Sequence, residues 1–384
     1  MYGPLASFAS AQAGAGHSMC CAVRVDARGN DSAARPTLRR QAGSRGHQPH
    51  GGSFALGRPG GKLLLPRAMT RALVIAPQWI GDAVMTEPLL RRLHARGETL
   101  TVGALPWVAP IYRAMPQVSK VLELPFAHGG LQWSARRSLA HQLRGQFDVA
   151  YVGPNSFKSA LLPWWAGISR RVGYHGESRY VVLNQRLPNP PDGHRPPMVA
   201  FYSALSGDAN VSQDQPQLQL DPIAVDAALA GMRLQRQGYF VFAPGAEYGA
   251  AKRWPARHFA VLAEQLHLPV VLLGSTKEAP LCAEIARTVD ATHPGQCLDW
   301  SGRTSLDHAL ATIAGAKAVI SNDSGLMHVA AAFGLPQVAL FGSSSPLHTP
   351  PLNPQAHVVW LKSDPTYVPT LDCAPCFQRE CPLG

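Results

Sequence analysis

The sequence predicts an α/β protein built from two doubly wound parallel sheets that face each other across a cleft. Three observations carry this expectation. Short apolar runs rich in β-branched residues alternate with helix-like stretches. The runs are apolar on both faces, as strands covered by helices on each side must be. The alternation breaks once, in polar and Pro-rich sequence, and then starts again.

The elements follow in order. ALVIA (residues 72–76), TLTVGA, KVLEL, FDVAYVG and RRVGY read as strands, and TEPLLRRLHARG and SARRSLAHQLRG as helices between them. LPNPPDGHRPP (Leu187–Pro197) interrupts the pattern, and a helix-like MVAFYSALSG and a polar SQDQPQLQLDP follow. The strands resume with YFVFAPG, LPVVLLG, QCLDWSG, AKAVISNDSG, LPQVALFG and HVVWL. The expected halves are residues 69–222 and 223–384. LVIAPQWIGDA and FVFAPGAEYGA open them alike, each a strand, Ala-Pro and a Gly-containing loop. In open α/β sheets ligands bind beyond the carboxyl ends of the strands, so the loops after strands are where chemistry is expected.

Composition narrows the classes. At 384 residues the chain exceeds one ordinary core, and its 46% hydrophobic content supports two. The formal charge of +11 is concentrated in residues 1–68, which hold nine Lys/Arg against two Asp. The remainder is mildly basic, and no nucleic-acid partner is expected. Residues 1–68 show neither helical nor strand periodicity and are expected to be a disordered leader or an over-extended start before Met69. Their Arg-rich, acid-poor composition also resembles a transit peptide. The seven cysteines are few and odd in number, which suits a reducing cytoplasm. No run of about 18 apolar residues is present, so no membrane-spanning helix is expected.

Three strand exits carry the candidate site. In PQWIGDAVMTEP, Gly81 permits close backbone approach and Asp82 starts a helix. Asp82 has two readings there, an N-terminal cap or a base aimed into the cleft. Pro88 either kinks that helix or begins a second one. In FAPGAEYGAAKRWPARHF the small-residue loop with Gly245 suits a phosphate, and Lys252 and Arg253 oppose the next helix dipole unless an anion offsets them. A solvated basic pair is the other reading. In VISNDSGLMHVAAAFGLP, Asn322, Asp323, Ser324 and Gly325 crowd one turn ahead of a small-residue helix whose free N–H groups suit an anion. Asp323 or Ser324 as a simple cap, and His328 as a core histidine, compete with that.

Other features say less. Glu278, after LLGS, suits either a ribose hydroxyl or an ordinary helix start. Neither GxGxxG nor GxxxxGK[ST] occurs, which argues against an oxidoreductase and a Walker loop. Cys373 and Cys376 have C-x2-C spacing, with Cys381 nearby, but a structural zinc takes four ligands. No D-x-D pair occurs to hold a cation on a diphosphate, so Lys252 and helix ends would supply that charge.

Taken together, IGDAVMTEPLL, APGAEYGAAKRWP, NDSGLMHVAAAFGLPQVALFGSSSPLHTPP and LDCAPCFQRECPLG resemble the lipopolysaccharide core heptosyltransferases, from about Met69 to Gly384. With GPNSFKSALLPWWAGISRRVGYHGE the likeness is greatest to the branch that adds the second heptose. The resemblance implies a GT-B fold of two Rossmann-like domains. It implies inverting, metal-independent transfer of L-glycero-D-manno-heptose from ADP-heptose to heptosyl-Kdo2-lipid A, in the cytoplasm beside the inner membrane. Asp82 matches the family's base and Lys252 its phosphate-contacting lysine. Asp323, Ser324, Gly325, Leu326 and His328 match its donor-binding motif. Arg136, Arg137, Arg144, Arg170 and Arg171 are candidates for the acceptor's phosphates, against a merely solvated face. The family pattern leaves residues 1–68 outside it and continues past CPLG into a closing helix. A sister transferase with another acceptor and a non-catalytic binder of the ADP-sugar are the rivals.

Overall fold

The computed structural model describes residues 69–126, 130–191, 196–208, 214–368 and 371–382. Leu64–Gly384 form one compact unit. The leader expected over residues 1–68 lies outside the described residues.

The first lobe runs β1 (Thr70–Ile75), α1 (Ile80–Met85), α2 (Glu87–Ala95), β2 (Glu98–Ala104), α3 (Ala109–Arg113), β3 (Val118–Glu123), α4 (Trp133–Gln142), β4 (Val149–Val152), α5 (Phe157–Trp165), β5 (Arg170–Tyr174), β6 (Gln185–Leu187) and α6 (Met198–Ser203). The second runs α7 (Pro222–Gly231), β7 (Phe240–Ala243), α8 (Ala256–Gln265), β8 (Val270–Leu272), α9 (Ala279–Asp290), β9 (Cys297–Asp299), α10 (Leu306–Ala314), β10 (Ala318–Asn322), α11 (Gly325–Ala332), β11 (Gln337–Phe341) and β12 (Ala356–Trp360). The sheets have six strands each, ordered β3-β2-β1-β4-β5-β6 and β12-β11-β10-β7-β8-β9. Every pairing is parallel. The central strands are apolar throughout and bury both faces. Leu73, Ile75, Ala150 and Val152 face one helix layer, and Ala72, Val74, Val149 and Tyr151 the other.

This order places the site. In the first sheet the chain leaves β1 toward β2 and β3, then returns to lay β4 on the other side of β1. In the second it leaves β7 toward β8 and β9, then returns to lay β10 beside β7. Each reversal opens a crevice at the strands' carboxyl ends. The loops at those crevices are Pro77–Trp79, after β1, and the exits of β7 and β10.

One open alternative is settled, and one element was not visible in the sequence pattern. Pro88 sits in the first turn of α2, so it begins a second helix and kinks none. The edge strand β6 is only Gln-Arg-Leu, mostly exposed, and carries no apolar run to announce it.

The lobes are stitched by the extended segment 214–220. Its Gln217 N–H donates to Glu87 (3.1 Å) and its Gln219 N–H to Ala114 O (2.8 Å), both in the first lobe. Its Leu218 N–H donates to Ala332 O at the end of α11 (3.1 Å). One core cluster therefore runs from Val84 and Leu89 through Leu218 to Val329 and Ala330.

Candidate active site

Asp82 is the third residue of α1, behind an extended Trp79 at the N-cap position. Its Oδ1 accepts a hydrogen bond from the Tyr202 hydroxyl (3.1 Å), delivered by α6 from 120 residues away. Enclosure by the protein removes water from the carboxylate and pushes its pKa up to about 6; the Tyr202 bond opposes this only in part. A carboxylate with proton affinity near neutral suits proton removal better than capping.

The second lobe presents a denser cluster. Asn322, the last residue of β10, accepts from Trp254 N–H (2.9 Å) and donates to Pro244 O (2.6 Å). One amide thus pins both ends of the loop that carries Gly245 and Lys252. The 3-10 turn Ala250–Lys252 then points Lys252 Nζ at Asp323 Oδ2 (2.6 Å). The Ser344 hydroxyl donates to the same oxygen (2.6 Å), and Asp323 is buried. Lys252 keeps further donors beyond this pair, because an ammonium has three. Arg253 donates to Ala246 O (3.3 Å) and closes its own loop.

Ser324 occupies the N-cap position of α11 in extended conformation, yet its hydroxyl makes no cap bond. Its buried Oγ has no hydrogen-bond partner among the described residues. Gly325 and Leu326 follow as the first helical residues, so their N–H groups face the crevice. His328 is buried, and loss of water lowers its pKa to about 4, so its imidazole is neutral at pH 7.

The lobes meet at these helix starts. A Cβ on Gly81 would lie 2.9 Å from His328 Cδ2, and one on Gly325 only 2.7 Å from Ile80 Cβ. Glycine at both positions lets the α1 backbone rest on the α11 backbone. Asp82 therefore stands one residue from the contact, and His328 lies on the other side of it.

Glu278 stands at the N-cap position of α9 and accepts from Ser275 N–H (2.7 Å). Its carboxylate passes over Gly245, where a side chain would collide with it. The two are brought together at the exit of β7.

The five arginines are not gathered at the cleft. Arg136 is buried over the Phe126 ring and donates to Leu131 O (2.7 Å) and Lys158 O (3.3 Å). Arg171 donates to Val182 O and Ile168 O, and Arg170 to the Tyr151 hydroxyl. Arg170 and Arg171 begin β5, and Arg144 lies just before β4, so all three occupy the amino edge of the sheet, opposite the strand exits. Arg137, in the first half of α4, is the exposed member nearer the strand-exit edge.

Tyr202 and Ser344 escaped the sequence reading. Tyr202 sits in an apolar helical stretch that reads as core. Ser344 follows β11 in a Gly-Ser-Ser-Ser exit, a signal of the same kind as the other loops. Among the described residues no three His, Cys, Asp or Glu side chains gather as a metal-holding group.

Two nucleotide-type lobes meeting at the carboxyl ends of their strands define a fold of the GT-B type. Comparison with known proteins narrows this. Residues 136–384 match glycosyltransferase family 9 (heptosyltransferase), and the chain belongs to that family. It is 42% identical over 307 residues to lipopolysaccharide heptosyltransferase 2 of Escherichia coli (strain K12), covering 76% of this chain and 88% of that protein. Lipooligosaccharide heptosyltransferase 2 of Haemophilus influenzae is 38% identical over 306 residues, covering 75% and 88%. The solved structure of E. coli ADP-heptose LPS heptosyltransferase II superposes with a TM-score of 0.71 at 39% identity, covering 80% of this chain and 96% of that one.

Proposed function

We propose that the chain transfers L-glycero-D-manno-heptose from ADP-heptose to heptosyl-Kdo2-lipid A, with inversion and without a metal. Residues 69–222 serve as the acceptor half and residues 223–384 as the donor half. The supporting observation is the contact of Gly81, the residue before Asp82, with His328 of the lobe that carries the Lys252–Asp323 pair. The relatives' names agree with this substrate class.

Inversion needs one in-line displacement. Asp82, ionised above about pH 6, takes the proton of the acceptor hydroxyl as that oxygen attacks the anomeric carbon. The bond from that carbon to the diphosphate oxygen breaks, and negative charge gathers on ADP. Lys252 and the N–H groups of α11 stabilise that charge, doing the electrostatic work a cation would otherwise do. In this reading Ser324 Oγ, His328, and Glu278 beside Gly245 hold the donor's sugar, phosphate or ribose. Diphosphate leaves readily, so no second carboxylate is required as an acid. Of the five arginines only Arg137 fits an acceptor-phosphate role by position, and the lipid-borne acceptor implies peripheral contact with the inner leaflet of the cytoplasmic membrane. No described helix is long and apolar enough to cross a membrane.

The deciding experiment is ADP release from ADP-heptose in a chelator, with a panel of truncated core lipids. Turnover on heptosyl-Kdo2-lipid A alone is expected. Turnover on Kdo2-lipid A lacking heptose would assign the sister acceptor, and donor binding without turnover would leave a non-catalytic binder.

A further inference from the structure

Residues 377–379 take no part in the proposed chemistry, yet they lie across both loops that meet Asp323. The Phe377 N–H donates to Ser343 O (2.8 Å), and Gln378 O accepts from the Ser343 hydroxyl (3.1 Å). Arg379 O accepts from Ala251 N–H (3.0 Å), and Phe377 O from the Tyr248 hydroxyl (2.8 Å). The Arg379 guanidinium lies 5.2 Å from the centre of the Tyr248 ring. Ser343 N–H donates in turn to Ala251 O (3.2 Å), so three segments form one hydrogen-bonded layer.

Two glycines fit this layer. Gly249 has φ 161°, extended backbone that any residue adopts, so conformation does not demand glycine there. A Cβ at that position would instead collide with the Arg379 carbonyl. A Cβ on Gly342 would lie 2.5 Å from Ala251 O. Phe377 itself is held at φ 52°, a left-handed conformation that a bulky residue adopts only when its surroundings enforce it.

The register gives the layer its meaning. Ala251 precedes Lys252 and Ser343 precedes Ser344, and these two side chains are the ones bonded to Asp323 Oδ2. The segment thus fixes main chain one residue away from each. We propose that Phe377–Arg379 act as a positioning strap that seats Lys252 and Ser344 on Asp323, presetting the second lobe for a nucleoside-diphosphate leaving group. This rests on the reading of Lys252 as the diphosphate contact.

The test uses the full chain, with ADP as the probe in calorimetry and hydrogen exchange followed over residues 249–252 and 342–344. Gly249→Ala, whose methyl displaces the strap, is expected to weaken ADP about tenfold, well inside the loss that small misplacements cause. Exchange should rise in both loops while acceptor KM stays put. Tyr248→Phe should show a smaller loss in the same direction, and it serves should Gly249→Ala fold poorly. Phe377→Gly keeps the left-handed backbone and should retain ADP affinity, since the strap acts through main chain. Unchanged ADP affinity in both Gly249→Ala and Tyr248→Phe overturns the proposal. Lys252→Ala separates the two ideas: if it leaves ADP binding intact, the diphosphate reading fails. If it weakens ADP and adding Gly249→Ala to a Lys252→Ala/Ser344→Ala double variant costs a further tenfold, the strap acts through neither side chain and the proposal falls.

Discussion

The two lobes present their functional groups in opposite ways. In the first, the Asp82 carboxylate has one hydrogen bond among the described residues, from Tyr202, and burial holds its pKa near 6. In the second, Lys252 and Ser344 are both bonded to Asp323, and Asn322 ties the loop at both ends. In the proposed reaction the difference follows from the work each side does. A base must want its proton back, and every hydrogen bond given to a carboxylate lowers that affinity. A grip on a diphosphate works best when its donors are fixed before charge develops, so dense bonding helps.

The largest break in this contrast should come from Asp82→Asn. It keeps shape and removes the base, so kcat should fall roughly 10²- to 10⁴-fold while ADP affinity holds. Steady-state ADP release and calorimetry together measure this. Equal losses in both would mean that Asp82 is only structural. Lys252→Ala should come next, lowering kcat/KM for the donor by about 10² and leaving acceptor KM alone. Asn322→Ala tests whether the second lobe needs its bonding. It orphans the Trp254 N–H and Pro244 O and should cost about 1–3 kcal/mol of stability, read as a lower Tm, together with a raised donor KM. A lower Tm with unchanged donor KM would mean that the loop keeps its geometry without the amide.

The smallest effect sharpens the contrast. The pH profile of kcat/KM should rise tenfold per unit below about pH 6 and flatten above it, because the base must be ionised. Tyr202→Phe removes a bond that lowers the Asp82 pKa, so the acid limb should move to higher pH. Tyr112, whose hydroxyl contacts Thr86, remains nearby in that variant. Stability runs the other way. The Asp82 pKa is raised on folding from 3.8 to about 6, so the folded state binds this proton more readily than the unfolded chain. This residue's contribution therefore weakens as pH climbs from about 4 to about 6, where catalysis gains. For His328, lowered from 6.5 to about 4, stability is lost as pH falls through that window.

Much of this was legible in the chain itself. Buried parallel strands must be apolar on both faces, so ALVIA, FVFA and AVIS announced the sheets, and the strand exits located Asp82, Lys252 and Asp323. What stayed hidden depends on distant chain meeting distant chain. Tyr202 reaches Asp82 across 120 residues, and nothing in MVAFYS distinguishes a tyrosine that faces a carboxylate from one that fills a core. The arginines misled for the opposite reason. A cluster of charge in sequence carries no edge, and the parallel topology sets three of the five on the side of the sheet away from the strand exits. CAPCFQREC drew attention for its cysteines, whereas its fixed geometry comes from the main chain of the residues between them.

The meeting of Gly81 with Gly325 and His328 has a mechanical consequence. Backbone rests on backbone there, so in the proposed reaction the spacing between proton acceptor and leaving group is gauged by two hydrogen atoms. A single methyl at either glycine would act as a shim, prying the reacting partners apart without touching any group that performs the transfer.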